Sequence, residues 1–314
     1  MKKILALLLA LCMMLALAAC GETEAPKTEE PQDAAESETT AEPTEAEATE
    51  AEAPEEEPAE PEAPAEPAEP IEIVVFAAAS MTETLNELKT VYEAEHPGVT
   101  ILYNFDSSGT LKTQIEEGAA CDLFISAGQK QMNQLDISAS PDVNTDGLDF
   151  VQEGTRINLL ENKVVLVVPA NNPKGIESFD MLAELLEKGD VLMAMGGADV
   201  PVGQYTQKIL AWYGLDEAEL SAAGCISYGG NVKQVTTQVE EGSVDCGVVY
   251  CTDAFSSDLT VVDSATAEMC GQVIYPAAVM KNAPHPAEAL EFLSFLQSEE
   301  AMAVFESVGF SPAP

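Results

Sequence analysis

Hydroxyl and glycine residues at the starts of predicted helices are the groups in this chain best suited to chemistry. Ser80 ends one apolar run, and Ser108 lies in Asp106-Ser107-Ser108-Gly109 after a second run. The start of a helix carries unpaired backbone N–H groups and a partial positive charge, so it can hold an anion without a cationic side chain. The two junctions therefore predict an anion site built from neutral donors. Ser80 and Glu83 also have the spacing of a capping box.

Two further junctions of this kind occur later in the chain. One is Val200-Pro201-Val202-Gly203, where proline suits the first helical position, and the other is Gly229-Gly230-Asn231-Val232. Any one of these junctions alone is more often an ordinary helix cap. Four in one folded segment favour an oxyanion site. About five to seven hydrogen bonds to a charged ligand, less the entropy of binding, correspond to roughly micromolar to nanomolar affinity.

The elements that position these junctions alternate between strand and helix. Strands are predicted at 72–76, 100–105, 121–126, 163–168, 191–195, 226–228 and 246–250, and helices at 80–95, 110–117, 179–188, 201–213, 231–241, 287–296 and 299–308. This alternation predicts an α/β protein with mostly parallel sheets. Two halves, about 71–130 and 163–250, suggest two lobes with a ligand cleft beyond the carboxyl ends of the strands.

The first 20 residues have the features of a bacterial lipoprotein signal peptide. Lys2 and Lys3 precede an apolar run that is too short for a good membrane span and ends Leu17-Ala18-Ala19-Cys20. Cys20 is the predicted lipidation site, which places the protein outside the cytoplasm, anchored to the outer face of the cell membrane. The alternative is an ordinary signal peptide followed by a chance cysteine.

Residues 21–70 are predicted to be a disordered acidic tether. They contain 19 of the chain's 55 acidic residues, many Pro and Ala residues, and no aromatic residue. Such a segment cannot bury enough apolar surface to offset the entropy lost on ordering. Residues 71–314 are therefore predicted to be the folded, solute-binding domain.

Charge and cysteine content exclude several classes of function. Residues 71–314 carry 36 acidic and 10 basic residues, a net charge of about −26, which argues against nucleic-acid binding. No cysteine or histidine spacing predicts a metal site. Five cysteines remain, Cys121, Cys225, Cys246, Cys251 and Cys270, and an odd number cannot all pair. One disulfide is left open.

Several motifs together resemble the molybdate-binding proteins of bacterial ABC importers. They are Val75-Phe76-Ala77-Ala78-Ala79-Ser80, Phe105-Asp106-Ser107-Ser108-Gly109-Thr110-Leu111, Cys121-Asp122-Leu123-Phe124-Ile125-Ser126-Ala127, Gly247-Val248-Val249-Tyr250-Cys251-Thr252-Asp253-Ala254, Tyr275-Pro276-Ala277-Ala278-Val279 and Val308-Gly309-Phe310. The resemblance covers nearly all of 71–314. It implies a periplasmic-binding-protein type II fold, which has mixed sheets flanked by helices and two hinge strands. One lobe would comprise about 71–160 and 254–314, and the other about 161–253.

The resemblance also implies the binding residues and the partners. The oxyanion would be held by the hydroxyls of Ser80, Ser108 and Tyr250 and by the backbone N–H groups of Val202 and Val232, with no direct ligand to the metal atom. The implied function is capture of molybdate, and tungstate with it, for delivery to an ABC permease. No cofactor, no catalysis and a monomeric state are expected. Three features depart from the family pattern: Gly128, an expanded loop at 136–155, and the Gly229-Gly230 turn, which weakens the assignment of Val232.

Other readings remain open at this point. The same fold could bind sulfate, phosphate or an organic acid, although an organic acid usually requires an arginine, which the junctions lack. An enzyme with Ser80 or Cys251 as nucleophile would need a histidine base, and neither His96 nor His285 is suitably placed. A surface sensor or adhesin that does not transport is the third alternative.

Overall fold

The computed structural model describes residues 70–257 and 259–314. The predicted signal peptide with Cys20, and the predicted tether up to Glu69, lie outside the described residues. Eleven strands are present in the described part: β1 (Ile71–Ala78), β2 (Val99–Asp106), β3 (Leu123–Ile125), β4 (Ile157–Asn162), β5 (Val164–Pro169), β6 (Met193–Gly196), β7 (Ile226–Gly229), β8 (Cys246–Tyr250), β9 (Leu259–Ser264), β10 (Val273–Val279) and β11 (Ser311–Pro312).

Helices pack around these strands. Within the described residues they are α1 (Thr82–Glu95), α2 (Ser108–Glu116), α3 (Gln129–Leu135), α4 (Phe179–Lys188), α5 (Pro201–Trp212), α6 (Glu217–Ala222), α7 (Val232–Glu240), α8 (Cys251–Phe255), α9 (Ala267–Cys270), α10 (Pro286–Phe295) and α11 (Glu299–Ser307). A 3-10 turn, Ala79–Met81, links β1 to α1. None of the described helices is long and apolar enough to cross a membrane.

The strands form two mixed sheets, one for each lobe. The first has the order β11-β4-β10-β3-β1-β2, in which β1 is parallel to β2 and β3 while β10 is antiparallel to β3 and β4. The second has the order β7-β6-β8-β5-β9, in which β6 is parallel to β7 and β8 while β5 is antiparallel to β8 and β9. The predicted α/β fold with two mixed sheets is confirmed. The narrower prediction of mostly parallel sheets is wrong, because β4, β5 and β10 run antiparallel to their neighbours.

The chain crosses between the sheets twice. The first crossing is at Asn162-Lys163, where β4 ends and β5 begins, and the second is the segment 265–272 between β9 and β10. Residues 254–264 were expected in the first lobe, but β9 pairs with β5 of the second sheet. The chain therefore returns to the first lobe about ten residues later than predicted.

Apolar side chains fill the space between sheets and helices. Every residue of β5, Val-Val-Leu-Val-Val-Pro, is buried, as expected for a central strand covered on both faces. The helices show the matching pattern: in α4 the buried positions are Phe179, Leu182, Ala183 and Leu186, which lie on one helical face. The packing of these buried faces holds the strands in place, and the four junctions lie at the ends of those strands.

The five cysteines of the described part are free thiols, so the disulfide left open by the sequence does not form here. Cys121 and Cys246 are buried, and burial raises their thiol pKa values, as expected for small core residues. Within the described residues, no group of acidic, cysteine and histidine side chains could hold a metal ion.

Candidate functional site

The four helix-start junctions meet at one small cavity between the lobes. All five residues predicted from the sequence line it: Ser80, Ser108, Val202, Val232 and Tyr250. The remaining lining residues are Ala78, Ala79, Asp106, Ser107, Ala127, Val200 and Pro201. The cavity volume is about 10 Å³, which is close to the space that a single water molecule needs. Both lobes contribute to its wall.

Helix capping directs backbone N–H groups into this cavity. Ser107 caps α2 by accepting a hydrogen bond from the Thr110 N–H at 3.1 Å, and Asn231 caps α7 by accepting one from the Gln234 N–H at 3.1 Å. Pro201 opens α5. Val202 and Val232 lie in the first turns of α5 and α7, where N–H groups have no partner within the helix. These N–H groups are available to an anion.

Ser80 does not cap a helix, although its spacing to Glu83 suggested a capping box. It lies in the 3-10 turn, and α1 begins two residues later at Thr82 without a side-chain cap. The Ser80 Oγ instead lies 2.9 Å from the Tyr275 Oη, and both side chains are buried. Its hydroxyl is therefore held by the first sheet at the edge of the cavity.

Ser108 is fully buried at the start of α2. Its Oγ accepts a hydrogen bond of 2.9 Å from the Ala127 backbone N–H, which follows β3. An N–H group can only donate, so the Ser108 proton is not used in this contact. Ser108 can thus donate to a ligand while β3 holds its oxygen in place.

Tyr250 ends β8 in the second sheet and reaches toward the first lobe. Its hydroxyl donates a long, 3.4 Å hydrogen bond to the Ala127 carbonyl. Burial is the main cause that raises the pKa of the Tyr250 phenol well above its usual value, with further contributions from Tyr275, Tyr205 and Asp253. The phenol therefore stays protonated and acts as a donor at neutral pH.

Asp106 is a lining residue that the sequence reasoning did not identify. Its Oδ1 accepts hydrogen bonds from the Ser107 N–H at 2.7 Å and from the Asn231 Nδ2 at 3.1 Å. The second bond joins the two lobes. The only signal in the sequence was the position of Asp106 directly before the Ser107-Ser108-Gly109 junction.

A second contact between the lobes joins α7 to α1. Lys233 of α7 binds the Glu83 carboxylate of α1 at 2.9 Å, and its Nζ also lies 3.4 Å from the Asp253 carboxylate of α8. Asp253 is fully buried, and its carboxylate accepts no hydrogen bond from the residues that the structure describes. Burial is the largest cause that raises the Asp253 pKa, and despite Lys233 the value is about 7.

The two lobes also lie close together at Gly109 of α2. A Cβ atom placed on Gly109 would lie 2.2 Å from the carbonyl oxygen of Asp199, which precedes α5 in the second lobe. The Gln131 Nε2 also donates to that carbonyl at 3.4 Å. These contacts, with those of Asp106 and Lys233, describe a closed cleft.

The chemistry available in the cavity is anion binding by neutral donors. No lysine, arginine or histidine is among its lining residues in the described part of the chain, and Asp106 is the charged residue there. A serine nucleophile would need a base within hydrogen-bond reach. The partner of Ser80 is instead a tyrosine, and Cys251 lies outside the cavity lining with a thiol pKa that burial raises.

Comparisons with known proteins identify the family of this chain. Residues 73–311 match the family profile of bacterial extracellular solute-binding proteins. A Bacillus subtilis protein, YvgL, which is named as a substrate-binding lipoprotein of an ABC transporter, is 38% identical over 77% of this chain and 86% of its own length. The molybdate-binding protein ModA of Haemophilus influenzae is 31% identical over 76% of this chain and 90% of its own length.

The fold is also shared with a solved structure. The periplasmic molybdate-binding protein of Azotobacter vinelandii superimposes with a TM-score of 0.63 at 22% identity, covering 77% of this chain and all of that one. These proteins are substrate-binding components, and none of the three is named as an enzyme. The chain belongs to the family of bacterial extracellular solute-binding proteins, within which its relatives include molybdate-binding proteins.

Proposed function

We propose that this protein captures molybdate, and tungstate with it, outside the cytoplasm and delivers the ion to an ABC permease. The observation that carries the proposal is the single cavity lined by Ser80, Ser108, Val202, Val232 and Tyr250. Three hydroxyls and two helix-start N–H groups that converge on one space are donors suited to a tetrahedral anion, for which the cleft must be wider than the single-water volume that it has here. The family and the molybdate-binding relatives support the same ligand.

Selectivity would arise from the size of the ion. Donors on both lobes meet across a closed cleft, so the distance between opposing donors is set when the lobes close. A cleft fitted to the larger molybdate or tungstate ion leaves donors too far from the smaller sulfate ion. Closure also buries the ion and creates the surface that a permease recognises.

Membrane attachment through Cys20 is part of the proposal. The Leu17-Ala18-Ala19-Cys20 sequence and the lipoprotein name of the Bacillus subtilis relative support it. Replacing Cys20→Ser should move the protein from the membrane fraction to the soluble fraction and abolish incorporation of labelled fatty acid. Unchanged membrane attachment of the variant would contradict a lipid anchor at this residue.

Phosphate or sulfate is the alternative ligand, and one observation favours phosphate. The Asp106 carboxylate lines the cavity and could accept the proton of hydrogen phosphate, which molybdate and sulfate lack at neutral pH. Two donors, Ser107 N–H and Asn231 Nδ2, already occupy its Oδ1. Molybdate is placed first because the curated relatives include molybdate-binding proteins.

Isothermal titration of the full chain, purified in detergent, tests the proposal. The titrants are molybdate, tungstate, sulfate and phosphate. Tight one-to-one binding of molybdate and tungstate, with little heat from the other two, is the expected result. Preferential binding of phosphate or sulfate would establish the alternative, and a folded chain that binds none of the four would contradict an oxyanion site.

A further inference from the structure

Behind Ser80 lies a buried chain of hydrogen bonds that does not line the cavity. Tyr275 of β10 has its Oη 2.9 Å from the Ser80 Oγ, and the Asn162 Nδ2 lies 3.1 Å from the same Tyr275 Oη. Asn162 is the last residue of β4, where the chain crosses to the second lobe. All three side chains are buried and therefore have little access to bulk water.

The orientation of the Asn162 amide is fixed by a backbone group. Its Oδ1 accepts a 2.8 Å hydrogen bond from the Lys163 N–H. Because that N–H can only donate, the amide oxygen must face it, and the amide nitrogen must face the other side. There Nδ2 has two hydrogen-bond acceptors at 3.1 Å, the Thr252 Oγ1 and the Tyr275 Oη.

This orientation fixes the direction of the next hydrogen bond. The Asn162 Nδ2 has only protons to offer, so the Tyr275 oxygen accepts from it. The Tyr275 proton then needs an acceptor of its own, and the Ser80 Oγ, at 2.9 Å, is the acceptor that the geometry of the described residues offers. In the opposite direction the fully buried phenol O–H would have only the more distant Tyr250 hydroxyl to turn to, which is less favourable.

Ser80 consequently accepts from Tyr275 and has its own proton free. The Ser80 side chain lines the cavity, so that proton can point to a ligand. The Ser108 hydroxyl also has its proton free, because its Oγ accepts from the Ala127 N–H. The two serines differ in one respect: the donor behind Ser108 is backbone, while the donor behind Ser80 is a side chain that mutation can remove.

We propose that Tyr275 and Asn162 are positioning residues that make Ser80 an obligate hydrogen-bond donor to the bound oxyanion. The inference rests on the proposed function, because it concerns the same cavity. It assigns roles to two residues that do not touch the ligand. It also predicts that Ser80 offers its proton to the ligand, so this side of the cavity favours an oxygen that accepts a hydrogen bond.

A double-mutant cycle on the full chain in detergent tests the inference. The affinity for molybdate is measured by titration for wild type, Ser80→Ala, Tyr275→Phe and the double variant. We expect Ser80→Ala to weaken binding about 10- to 100-fold, the range for a hydrogen bond to a charged group. Tyr275→Phe should weaken binding about tenfold, because the Ser80 hydroxyl is then free to turn away. In the Ser80→Ala background, Tyr275→Phe should have almost no further effect.

Ser108 provides the matched control. Combined with Ser108→Ala, the Tyr275→Phe change should keep its full effect, because the Ser108 oxygen is held by Ala127 instead. If Tyr275→Phe only loosened the site as a whole, it would lower the affinity by the same factor in the Ser80→Ala and the Ser108→Ala backgrounds. Equal multiplication in the two cycles, or no loss of affinity in Tyr275→Phe, would overturn the inference.

Two further results separate the possible failures. If the wild-type chain binds sulfate or phosphate but not molybdate, the proposed ligand is wrong and the same cycles are run with the ion that binds. A folded wild-type chain that binds no oxyanion overturns the proposed function and this inference together.

If Tyr275→Phe does not fold, 3-fluorotyrosine at position 275 replaces it. The more acidic phenol should alter the affinity for molybdate in the wild-type background and leave the affinity unchanged in the Ser80→Ala background. An equal effect in both backgrounds would overturn the inference.

Discussion

Ser107 and Ser108 are neighbours in the chain, yet the structure gives them different partners. The Ser107 Oγ caps α2 by accepting from the Thr110 N–H and also contacts the Thr110 Oγ1 at 2.9 Å, where either hydroxyl can donate, so both of its partners lie in the first turn of α2. Ser108 accepts from Ala127 and keeps its proton free. One serine therefore stabilises the helix start, and the other is suited to the ligand.

This difference predicts opposite effects of two alanine substitutions. Ser108→Ala should weaken molybdate binding about 10- to 100-fold, because a hydrogen bond to a charged group is lost. Ser107→Ala should lower the free energy of unfolding by about 1 kcal/mol, the usual cost of losing an N-cap, and leave affinity within a few-fold of wild type. Titration and thermal denaturation of both variants test this. An affinity loss in Ser107→Ala equal to that in Ser108→Ala would show that the assignment is wrong.

Asp253 makes the stability of the fold depend on pH. Its carboxyl has a pKa of about 7 in the folded protein, mainly because it is buried, with Lys233 and Glu83 as the nearest charged groups and Tyr250 and Tyr275 close by. An unfolded aspartate has a pKa of about 3.9. Between these values the folded state holds a proton that the unfolded state has lost, so the contribution of Asp253 to stability falls as pH rises from about 4 to about 7.

The isosteric change Asp253→Asn should remove this dependence. At pH 8 we expect the variant to be more stable than wild type, by an amount on the order of a few kcal/mol, because a buried charge is replaced by a neutral group. At pH 4, where the wild-type carboxyl is protonated, the two should differ little. Urea unfolding at both pH values provides the measurement. A variant that is less stable at pH 8 would mean that the contact with Lys233 outweighs the cost of burial.

Residues within one junction could be predicted from sequence, whereas their distant partners could not. Ser80 and Ser108 are visible because helix starts have local signatures. Tyr275 lies 195 residues from Ser80, and its role depends on the pairing of β10 with β4, which no local pattern records. Asp106 was part of a recognised motif, but its bond to Asn231 joins the two lobes and could not be read from that motif.

At the scale of elements, two glycines near helix starts have different tasks. Gly109 in α2 lets the first lobe approach Asp199 of the second lobe. Gly203 in α5 lies against Gly196 and Gly197 of its own lobe, where an added Cβ would be 2.2 Å and 2.4 Å from the two carbonyl oxygens. Gly109 thus permits closure of the cleft, and Gly203 permits folding of a lobe.

Alanine at the two positions should separate these tasks. Gly109→Ala should keep or slightly raise the thermal stability of the ligand-free chain, since alanine favours a helix and an open cleft avoids the clash. Its affinity for molybdate should fall about tenfold or more, because closure is opposed. Gly203→Ala should instead lower the melting temperature with or without ligand. Undiminished affinity in Gly109→Ala would contradict a requirement for this closed contact.

Elements with strong local signals were predictable, and those with weak signals were not. The helix Phe179–Lys188 and the strand Cys246–Tyr250 match their predicted bounds. β9 was missed because it is a short strand without an apolar run, and all six of its residues are partly buried or exposed. β10 was not assigned as a strand because Pro276 interrupts it, and the register shifts at that residue. β9 belongs to the second sheet and β10 to the first, so missing both strands placed the predicted lobe boundary too early.

On the scale of the whole molecule, the two lobes are joined by charged and polar contacts around an uncharged set of donors. Lys233 and Glu83 pair across the cleft, as do Asp106 and Asn231. The exposed ion pair contributes little, about 0–1 kcal/mol. We therefore expect the ligand, rather than these contacts, to supply most of the free energy of closure, as the proposed function requires.

The absence of lysine and arginine from the cavity lining of the described residues has a consequence for the effect of salt. A divalent anion that enters a domain of net charge about −26 is repelled over long distances and attracted only at contact. Added salt screens the long-range repulsion, with a screening length of about 10 Å at 0.1 M, but scarcely weakens buried hydrogen bonds. Potassium chloride should therefore tighten the binding of molybdate and speed its association, whereas it weakens the binding of anions that are held by cationic side chains. Titrations from low to physiological ionic strength would reveal the sign, and a dissociation constant that rises with salt would point to a cation at the site.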